Sequence, residues 1–119
     1  MLLVKWILLF AQLTLVTSNV WYISPSGNNA NSGSSPSTPF ADLVTALSKA
    51  TRGDTICCAA GSYSGQNNTG IQIAIANLTI IGQSGSDSTF FLGPGTIFTL
   101  KNSMSFQVSG YYNNSKKLN

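Results

Sequence analysis

The chain has 119 residues, of which 43% are hydrophobic and only 8% are charged, and its formal net charge is +3. This length fits a single domain. The absence of histidine excludes Ser-His-Asp and Cys-His nucleophile systems and histidine-ligated metals. The lysines and the one arginine form no basic cluster of the kind that binds nucleic acid, so we expect no nucleic-acid partner.

Residues 1–18 are typical of a secretory signal peptide. Lys5 precedes an apolar run over residues 7–16, and Thr17 and Ser18 end the segment with small side chains. Gln12 and Thr14 interrupt the run, which is shorter than the ~20 apolar residues that span a bilayer. Removal of the segment after Ser18 is therefore favoured over a retained membrane anchor. We expect a secreted, extracellular chain that begins at Asn19 and has no stable membrane span.

Three Asn-x-Ser/Thr triplets are candidate N-glycosylation sites in a secreted chain, at Asn67, Asn77 and Asn113. Such triplets also arise by chance in a chain rich in Asn, Ser and Thr. Asn67 is the strongest candidate, because glycine and amide neighbours predict an exposed loop there.

The two cysteines, Cys57 and Cys58, are adjacent in a segment with strand character. Neighbouring side chains on a strand point to opposite faces, so the two thiols cannot pair with each other without strain. We expect one to be buried and the other exposed. No disulfide framework is predicted, and an intermolecular disulfide through the exposed thiol is left open.

An amphipathic helix is predicted over Phe40–Thr51, after a strand at 20–24 and a polar loop at 25–38. Thr38 is a suitable N-cap, Pro39 suits the first helical position, and Gly53 is placed to end the helix. The apolar stripe consists of Phe40, Leu43, Val44, Leu47 and Ala50. The helix should therefore lie on an apolar surface, and the loop should wrap the end of the domain.

Short strands of alternating hydrophobicity are predicted beyond Asp54, at 55–59, 71–76, 78–80, 89–92, 98–100 and 104–109. The strand at 71–75 recurs as 96–100 after about 25 residues, and the strand at 78–81 recurs as 104–108 after about 26. A repeat of this length without helices is typical of the coils of a parallel β-helix, which needs a cap such as the amphipathic helix. An ordinary antiparallel β domain is the alternative.

Similarity to a known family is carried by residues 22–28, 31–36, 39–43 and 46–47, and it continues at 53–56, 61–65 and 77–82. In these segments the chain resembles the N-terminal cap of secreted right-handed parallel β-helix proteins of the pectin-lyase-like superfamily. The fold expected is an all-β solenoid, a right-handed parallel β-helix of about three coils with an N-terminal amphipathic capping helix. The expected divisions are a signal peptide (1–18), a strand, loop and capping helix (19–53), the coils (54–110) and a polar tail (111–119).

The resemblance implies secretion and association with polysaccharide or cell-surface carbohydrate, but it carries over no catalytic site. Pectate lyases of this superfamily hold calcium with several aspartates beside a basic residue, whereas polygalacturonases and pectin methylesterases use clustered or paired aspartates. This chain has only Asp42, Asp54 and Asp87, all isolated in sequence, and one arginine, Arg52. We therefore expect no catalytic, cofactor-binding or metal-binding residues. We expect Asp54 to be a turn residue that accepts hydrogen bonds from nearby backbone N–H groups.

Trp21 and Tyr63 are the candidate carbohydrate contacts, because aromatic rings stack on sugars; packing within the cap is the alternative. The first functional hypothesis is a secreted, non-catalytic β-helix module or fragment associated with carbohydrate. The alternative is a truncated relative of polysaccharide lyases or pectin esterases that acts on cell-wall-type polysaccharide. A third hypothesis is an inert remnant whose last coil is uncapped.

Overall fold

The computed structural model describes residues 17–85, 88–94, 97–100, 106–112 and 116–118. These residues form mostly strands with one helix and no closed barrel. The strands are β1 (Val20–Ile23), β2 (Thr55–Cys58), β3 (Gly61–Ser64), β4 (Ile71–Ile73), β5 (Leu78–Gly82), β6 (Thr89–Leu92), β7 (Phe98–Leu100), β8 (Phe106–Tyr112) and β9 (Lys116–Leu118). The helix, α1, spans Leu43–Lys49. The predicted signal-peptide run, Asp87 and Asn113 lie outside the described residues.

Strands that follow one another at intervals along the chain pair in parallel and in register. The strands β2, β3 and β4 pair with β5, β6 and β7 respectively. The strand β1 pairs with β2, and β8 pairs with both β5 and β6. Among the described strands, only β9 pairs antiparallel, against the end of β8. The prediction of parallel pairing is confirmed for these strands, and an ordinary antiparallel β domain is excluded.

The observed register differs from the predicted one by two residues. Ile71 lies opposite Phe98 and Leu78 opposite Phe106, whereas the sequence pattern aligns them with Thr96 and Met104. Side chains alternate between the two faces of a strand, so a shift of two residues keeps each side chain on its face. The predicted inward-facing positions therefore survive although the predicted interval is wrong.

The core consists of side chains stacked in rows across the parallel strands. Trp21, Ile56 and Ile80 follow one another in register, and Ile23 is followed by Cys58. Four of these five side chains are almost completely buried, whereas Trp21 is partly buried and packs against them. Fully burying one such aliphatic side chain contributes about 1.5–3 kcal/mol, so these rows supply much of the driving force for folding.

The helix α1 begins later and ends earlier than the sequence predicts. Its N-cap is Asp42, which has extended backbone and accepts from the Thr45 amide, and its C-cap is Ala50. Phe40 cannot start a helix because it forms a parallel bridge with Ile23. The predicted cap residue, Thr38, lies in the preceding loop.

The apolar stripe of α1 also differs from the prediction at one position. Leu43 and Ala46 are fully buried and belong to the core, and Leu47 packs against it. Val44 is 42% exposed and does not belong to the stripe. The buried side of α1 therefore consists of Leu43, Ala46 and Leu47, with Ala50 packed against the core just after it.

Gly33 in the polar loop and Phe40 directly after it cover the free edge of β1. The Tyr22 amide donates to the Gly33 carbonyl (2.8 Å), and the Phe40 amide donates to the Tyr22 carbonyl (2.9 Å). The Ser24 amide donates to the Phe40 carbonyl (2.9 Å). An uncovered strand edge would recruit other strands, so these bonds close this end of the sheet.

Two strands lie where the sequence pattern predicts none. The strand β3 carries only one large apolar residue, Tyr63, and so lacks an alternating pattern. The strand β9 lies within the segment predicted to be a polar tail, and β8 extends into that segment as far as Tyr112. The predicted boundary at residue 110 therefore falls inside a strand.

Candidate functional site

Asp54 is completely buried immediately before β2 and accepts four hydrogen bonds. Its Oδ1 accepts from the Asn19 amide at 2.7 Å. Its Oδ2 accepts from the Trp21 indole N–H at 3.0 Å, and from the amide and hydroxyl of Thr51 at 2.8 and 3.3 Å. The expected role as a turn residue is confirmed, because the Thr51 amide is a nearby backbone donor. The bonds to Asn19 and Trp21 additionally tie the turn to β1.

These bonds determine the protonation state of Asp54. Burial favours the neutral acid, but the donors from Asn19, Thr51 and Trp21 outweigh it and lower the pKa of Asp54 below its ordinary value. A general acid needs a raised pKa and an open path to its proton acceptor. Asp54 has neither, so the arrangement serves structure.

Asp42 has a similar structural role at the start of α1. Its Oδ1 accepts from the Thr45 amide at 2.9 Å, and its Oδ2 accepts from the side-chain amides of Asn29 (2.8 Å) and Asn67 (3.3 Å). Burial again favours the neutral form, but these donors outweigh it and lower the pKa of Asp42. The carboxylate joins the polar loop, the helix and the turn at 65–70.

That turn supplies the remaining acceptors for the first amides of α1. Asn68 is buried, and its Oδ1 accepts from the Leu43 amide at 2.9 Å while its Nδ2 donates to the Ser64 carbonyl. The carbonyl of Asn67 accepts from the Val44 amide at 3.0 Å. The N-terminal amides of a helix have no partners within the helix, so this turn completes the helix end. The role of Asn68 was missed, because nothing in the sequence separates it from its exposed neighbours.

The structure buries both cysteines and corrects the expectation that one is exposed. Cys58 faces the core and is 0% exposed, whereas Cys57 faces outward and is 8% exposed. Cys57 is covered because it lies in register between Tyr22 and Ile81. Burial raises the pKa of both thiols, which disfavours the reactive thiolate. An intermolecular disulfide through either thiol is therefore disfavoured.

Tyr63 is fully buried, so the expectation that it contacts carbohydrate is wrong. Its ring stacks on Phe91 with centroids 5.0 Å apart, and its hydroxyl donates toward the carbonyls of Ala59 (2.8 Å) and Ile23 (3.1 Å). Burial raises the pKa of Tyr63 well above its ordinary value. The ring therefore has no face available to a ligand.

Trp21, the second candidate contact, faces the core side of β1 and is partly buried. Its ring stacks on Phe40 with centroids 6.2 Å apart, and its N–H is bound to Asp54. Its contact with carbohydrate stays a prediction. The neighbouring Tyr22 lies on the opposite, outward side of the strand and is half-buried.

The outward sides of β1, β2 and β5 form a continuous uncharged surface, here called the outer face. It consists of Val20, Tyr22, Thr55, Cys57, Thr79 and Ile81, which lie in two rows of three in register. Parallel strands lie about 4.8 Å apart, so the residues of each row are evenly spaced. Such a surface can stack on an apolar sugar face and bond to hydroxyl groups, but it has no charge to attract an ion.

Among the residues that the structure describes, no cluster of three or more His, Cys, Asp or Glu could hold a metal ion. The same part of the chain contains no helix that is long and apolar enough to cross a membrane.

Comparisons with known proteins identify a family and a likeness in fold. A family model described as "Protein of unknown function (DUF1565)" matches residues 25–116, which is more than half of the chain. No curated protein matches the chain. A solved structure named "Rhamnogalacturonan lyase" is similar, with a TM-score of 0.50 and 15% identity over 80% of this chain and 25% of that one. A structure named "Glycoside hydrolase" has a TM-score of 0.41 and 22% identity over 78% of this chain and 15% of that one.

This chain thus spans a quarter or less of the length of either solved structure. The likeness to the lyase, at 15% identity, concerns the fold alone. The match over residues 25–116 shows that the chain belongs to the DUF1565 family.

Proposed function

We propose that the chain is a secreted, non-catalytic module that associates with carbohydrate through the outer face. Its framework is a right-handed parallel β-helix of about three coils, capped by α1. The in-register rounds formed by β2–β4 and β5–β7, and the pairing of β8 with both β5 and β6, support this architecture. The pattern of residues 1–18 supports export.

The bonding of the two described aspartates, Asp42 and Asp54, supports the non-catalytic part of the proposal. Glycoside hydrolysis uses a pair of carboxyl groups, one of which must exchange its proton with the sugar oxygen. Calcium sites take six to eight oxygen ligands, often from several carboxylates. Asp42 and Asp54 are buried, and their oxygens accept bonds from the fold itself. Neither carboxylate is available for such chemistry.

The chemistry of the outer face favours neutral glycans. Tyr22 offers an aromatic ring, Thr55 and Thr79 offer hydroxyl groups, and none of the six residues of this face is charged. Polysaccharides built from uronic acids carry one negative charge per sugar and are best recognised by lysine or arginine. An uncharged surface that contains an aromatic ring instead suits stacking on neutral sugars.

A glycan array that contains neutral and uronic-acid polysaccharides tests this proposal. We expect binding to neutral glycans, and we expect Tyr22→Ala to weaken it by up to about tenfold, since stacking of one ring contributes about 0.5–1.5 kcal/mol. Gln72→Ala is the matched control, because Gln72 is exposed on β4 and lies outside the outer face. It should leave binding unchanged.

Three results would contradict the proposal. Equal binding by the Tyr22→Ala protein would show that the outer face is not the contact surface. Turnover of a polysaccharide in the same preparation would favour the alternative, a truncated polysaccharide lyase or pectin esterase relative. An exported protein without a cooperative melt would favour the inert remnant.

We also propose N-linked glycans at the exposed triplets. Asn67 and Asn77 are both exposed, whereas Asn113 lies outside the described residues. The Asn67 amide has two N–H groups and donates one to Asp42, so it can carry a sugar and keep that bond. Asn67→Gln should lower the mass of the exported protein by one N-linked glycan, and this difference should disappear when both proteins are treated with a glycosidase. An unchanged mass would contradict modification at Asn67.

A further inference from the structure

The amide nitrogen of Asn19 makes the shortest contact to the buried carboxylate of Asp54, at 2.7 Å. The three other donors, from Trp21 and Thr51, bond to Oδ2 and lie 2.8–3.3 Å away. All four donors are neutral as long as Asn19 is joined to Ser18. In the described part of the chain, a carboxylate that is 0% exposed is therefore held by neutral hydrogen bonds alone. A buried carboxylate has lost its hydration, so a hydrogen-bonded positive charge among its donors would offset part of the cost of its burial.

Asn19 is fixed to the fold on both sides of its Cα. Its amide donates to Asp54, and its carbonyl accepts from the Thr55 amide at 2.9 Å, where the pairing of β1 with β2 begins. Thr17 and Ser18, which precede it, are exposed. Among the described residues, a cut before Asn19 therefore removes no buried side chain.

We propose that the Ser18–Asn19 peptide bond is a processing site and that its hydrolysis places the new α-ammonium of Asn19 on the carboxylate of Asp54. A leader peptidase of the secretory pathway adds water across the bond. Ser18 leaves as the carboxylate end of the leader, and the nitrogen of Asn19 becomes an ammonium group. Charge-assisted N–H···O bonds are about 2.7–2.9 Å long, and the neutral donor already lies at that distance. The inference rests on the proposed export but not on carbohydrate binding.

Of the possible cut positions, only one leaves a charged donor beside Asp54. A cut before Ser18 leaves Asn19 with a neutral amide, and a cut after Asn19 removes this donor and the Asn19 carbonyl bond to Thr55. Only hydrolysis between Ser18 and Asn19 converts the donor to Asp54 into a cation. The folded protein therefore stabilises one N-terminus over its neighbours.

The test begins with the full chain expressed in cells that have a secretory pathway. The mass and N-terminal sequence of the exported protein should show Asn19 as its first residue. A matched variant carries one alanine inserted between Ser18 and Asn19, so that its exported form has an amide at Asn19. Melting temperatures of both exported proteins are then measured from pH 7 to pH 10.

The expected sign follows from the pKa of the amine. An α-amino group ordinarily has a pKa of about 7.7–8.0, and a carboxylate partner raises it in the folded state. The stabilisation is therefore fully present below about pH 7.7 and is lost as the pH rises through the raised value. We expect the natural form to melt about 4 °C or more above the variant at pH 7, and the difference to vanish near pH 10. The two proteins share all other charged and titratable groups in this part of the chain, so the effects of these groups on the melting temperature cancel in the comparison. These groups are Asp54, Lys49, Arg52, Cys57, Cys58 and Tyr63.

The outcomes separate this inference from the proposed function. A different N-terminus, retention of the uncut chain, or the same melting profile for both proteins overturns the inference. Asp54→Asn should abolish the difference between the two forms, and if that variant does not fold, the pH comparison decides alone. A protein that begins at Asn19 and shows the stabilisation but binds no glycan contradicts only the carbohydrate proposal.

Discussion

Gly33 adopts a left-handed backbone conformation, with φ of 67°, directly against the ring of Phe40. A Cβ atom at this position would lie 2.1 Å from a ring carbon of Phe40, which is itself 1% exposed. Both the conformation and the contact therefore require glycine. Because the Gly33 carbonyl also accepts from the Tyr22 amide, this residue fixes how the loop covers β1.

We predict that Gly33→Ala strongly destabilises the protein. The left-handed conformation costs an alanine about 1–2 kcal/mol, and displacement of the Phe40 ring adds about 1–3 kcal/mol. Gly65→Ala is the matched control, because Gly65 has φ of 82° but nothing within 4 Å of its added Cβ. Urea denaturation should show the larger loss for Gly33→Ala. Equal losses would mean that the ring contact contributes nothing.

Single residues also show where sequence reasoning succeeds and fails. The role of Asp54 as a turn acceptor could be predicted, because it follows Gly53 and opens a strand. The burial of Tyr63 could not, since one aromatic residue among small ones gives no periodic signal. The burial of Cys57 depends on its neighbours in register, Tyr22 and Ile81, which are distant in sequence.

At the scale of elements, the N-terminus of α1 depends on a turn that lies more than 20 residues further along the chain. Asn68 accepts from the Leu43 amide and donates to the Ser64 carbonyl, so it links the helix to the end of β3. This link explains why a helix of only 7 residues is stable: its amides are satisfied by tertiary contacts.

We predict that Asn68→Ala destabilises the protein by about 1–3 kcal/mol, because it leaves the buried amide of Leu43 without its acceptor and removes the bond to the Ser64 carbonyl. Asn67→Ala is the control when both variants are made without N-glycosylation, since it then removes only the exposed side chain and its 3.3 Å bond to Asp42. The control should lower the free energy of unfolding by less than about 1 kcal/mol. Thermal unfolding monitored by circular dichroism measures both, and a larger loss for Asn67→Ala would contradict this account of the helix end.

Most strands could be predicted from their alternation, but β3, β9, the exact register and the helix boundaries could not. A pattern of period 2 looks the same after a shift of two residues, so only the turn lengths of the folded chain fix Ile71 opposite Phe98. Thr38 and Pro39 form a good local start for a helix. The bridge between Phe40 and Ile23 overrides that start, because it also covers the edge of β1.

At the scale of the whole molecule, a chain with few charges depends on a small number of buried ionisable groups, and their pKa shifts limit stability on both sides of neutrality. On the alkaline side, burial raises the pKa of Cys57, Cys58 and Tyr63, so these groups stay neutral in the folded protein. In the unfolded chain the thiols ionise above about pH 8.5. Ionisation then favours the unfolded state, and stability should fall as the pH rises above that value.

On the acid side, protonation of the aspartates lowers the free energy of unfolding. Asp42 and Asp54 have lowered pKa values in the folded protein, compared with about 3.9 in an unfolded chain. A lowered pKa means that folding favours the ionised carboxylate, so the stability that it contributes is complete above about pH 5 and is lost as the pH falls through the pKa of the folded state.

We predict a plateau in the free energy of unfolding between about pH 5 and pH 8, with a decline below it. Asp42→Asn tests the assignment, because asparagine is still a good N-cap but does not titrate. Urea denaturation at pH 2–7 should show a shallower acid decline for this variant, and an unchanged slope would mean that the bonds from Asn29, Thr45 and Asn67 do not favour the ionised carboxylate.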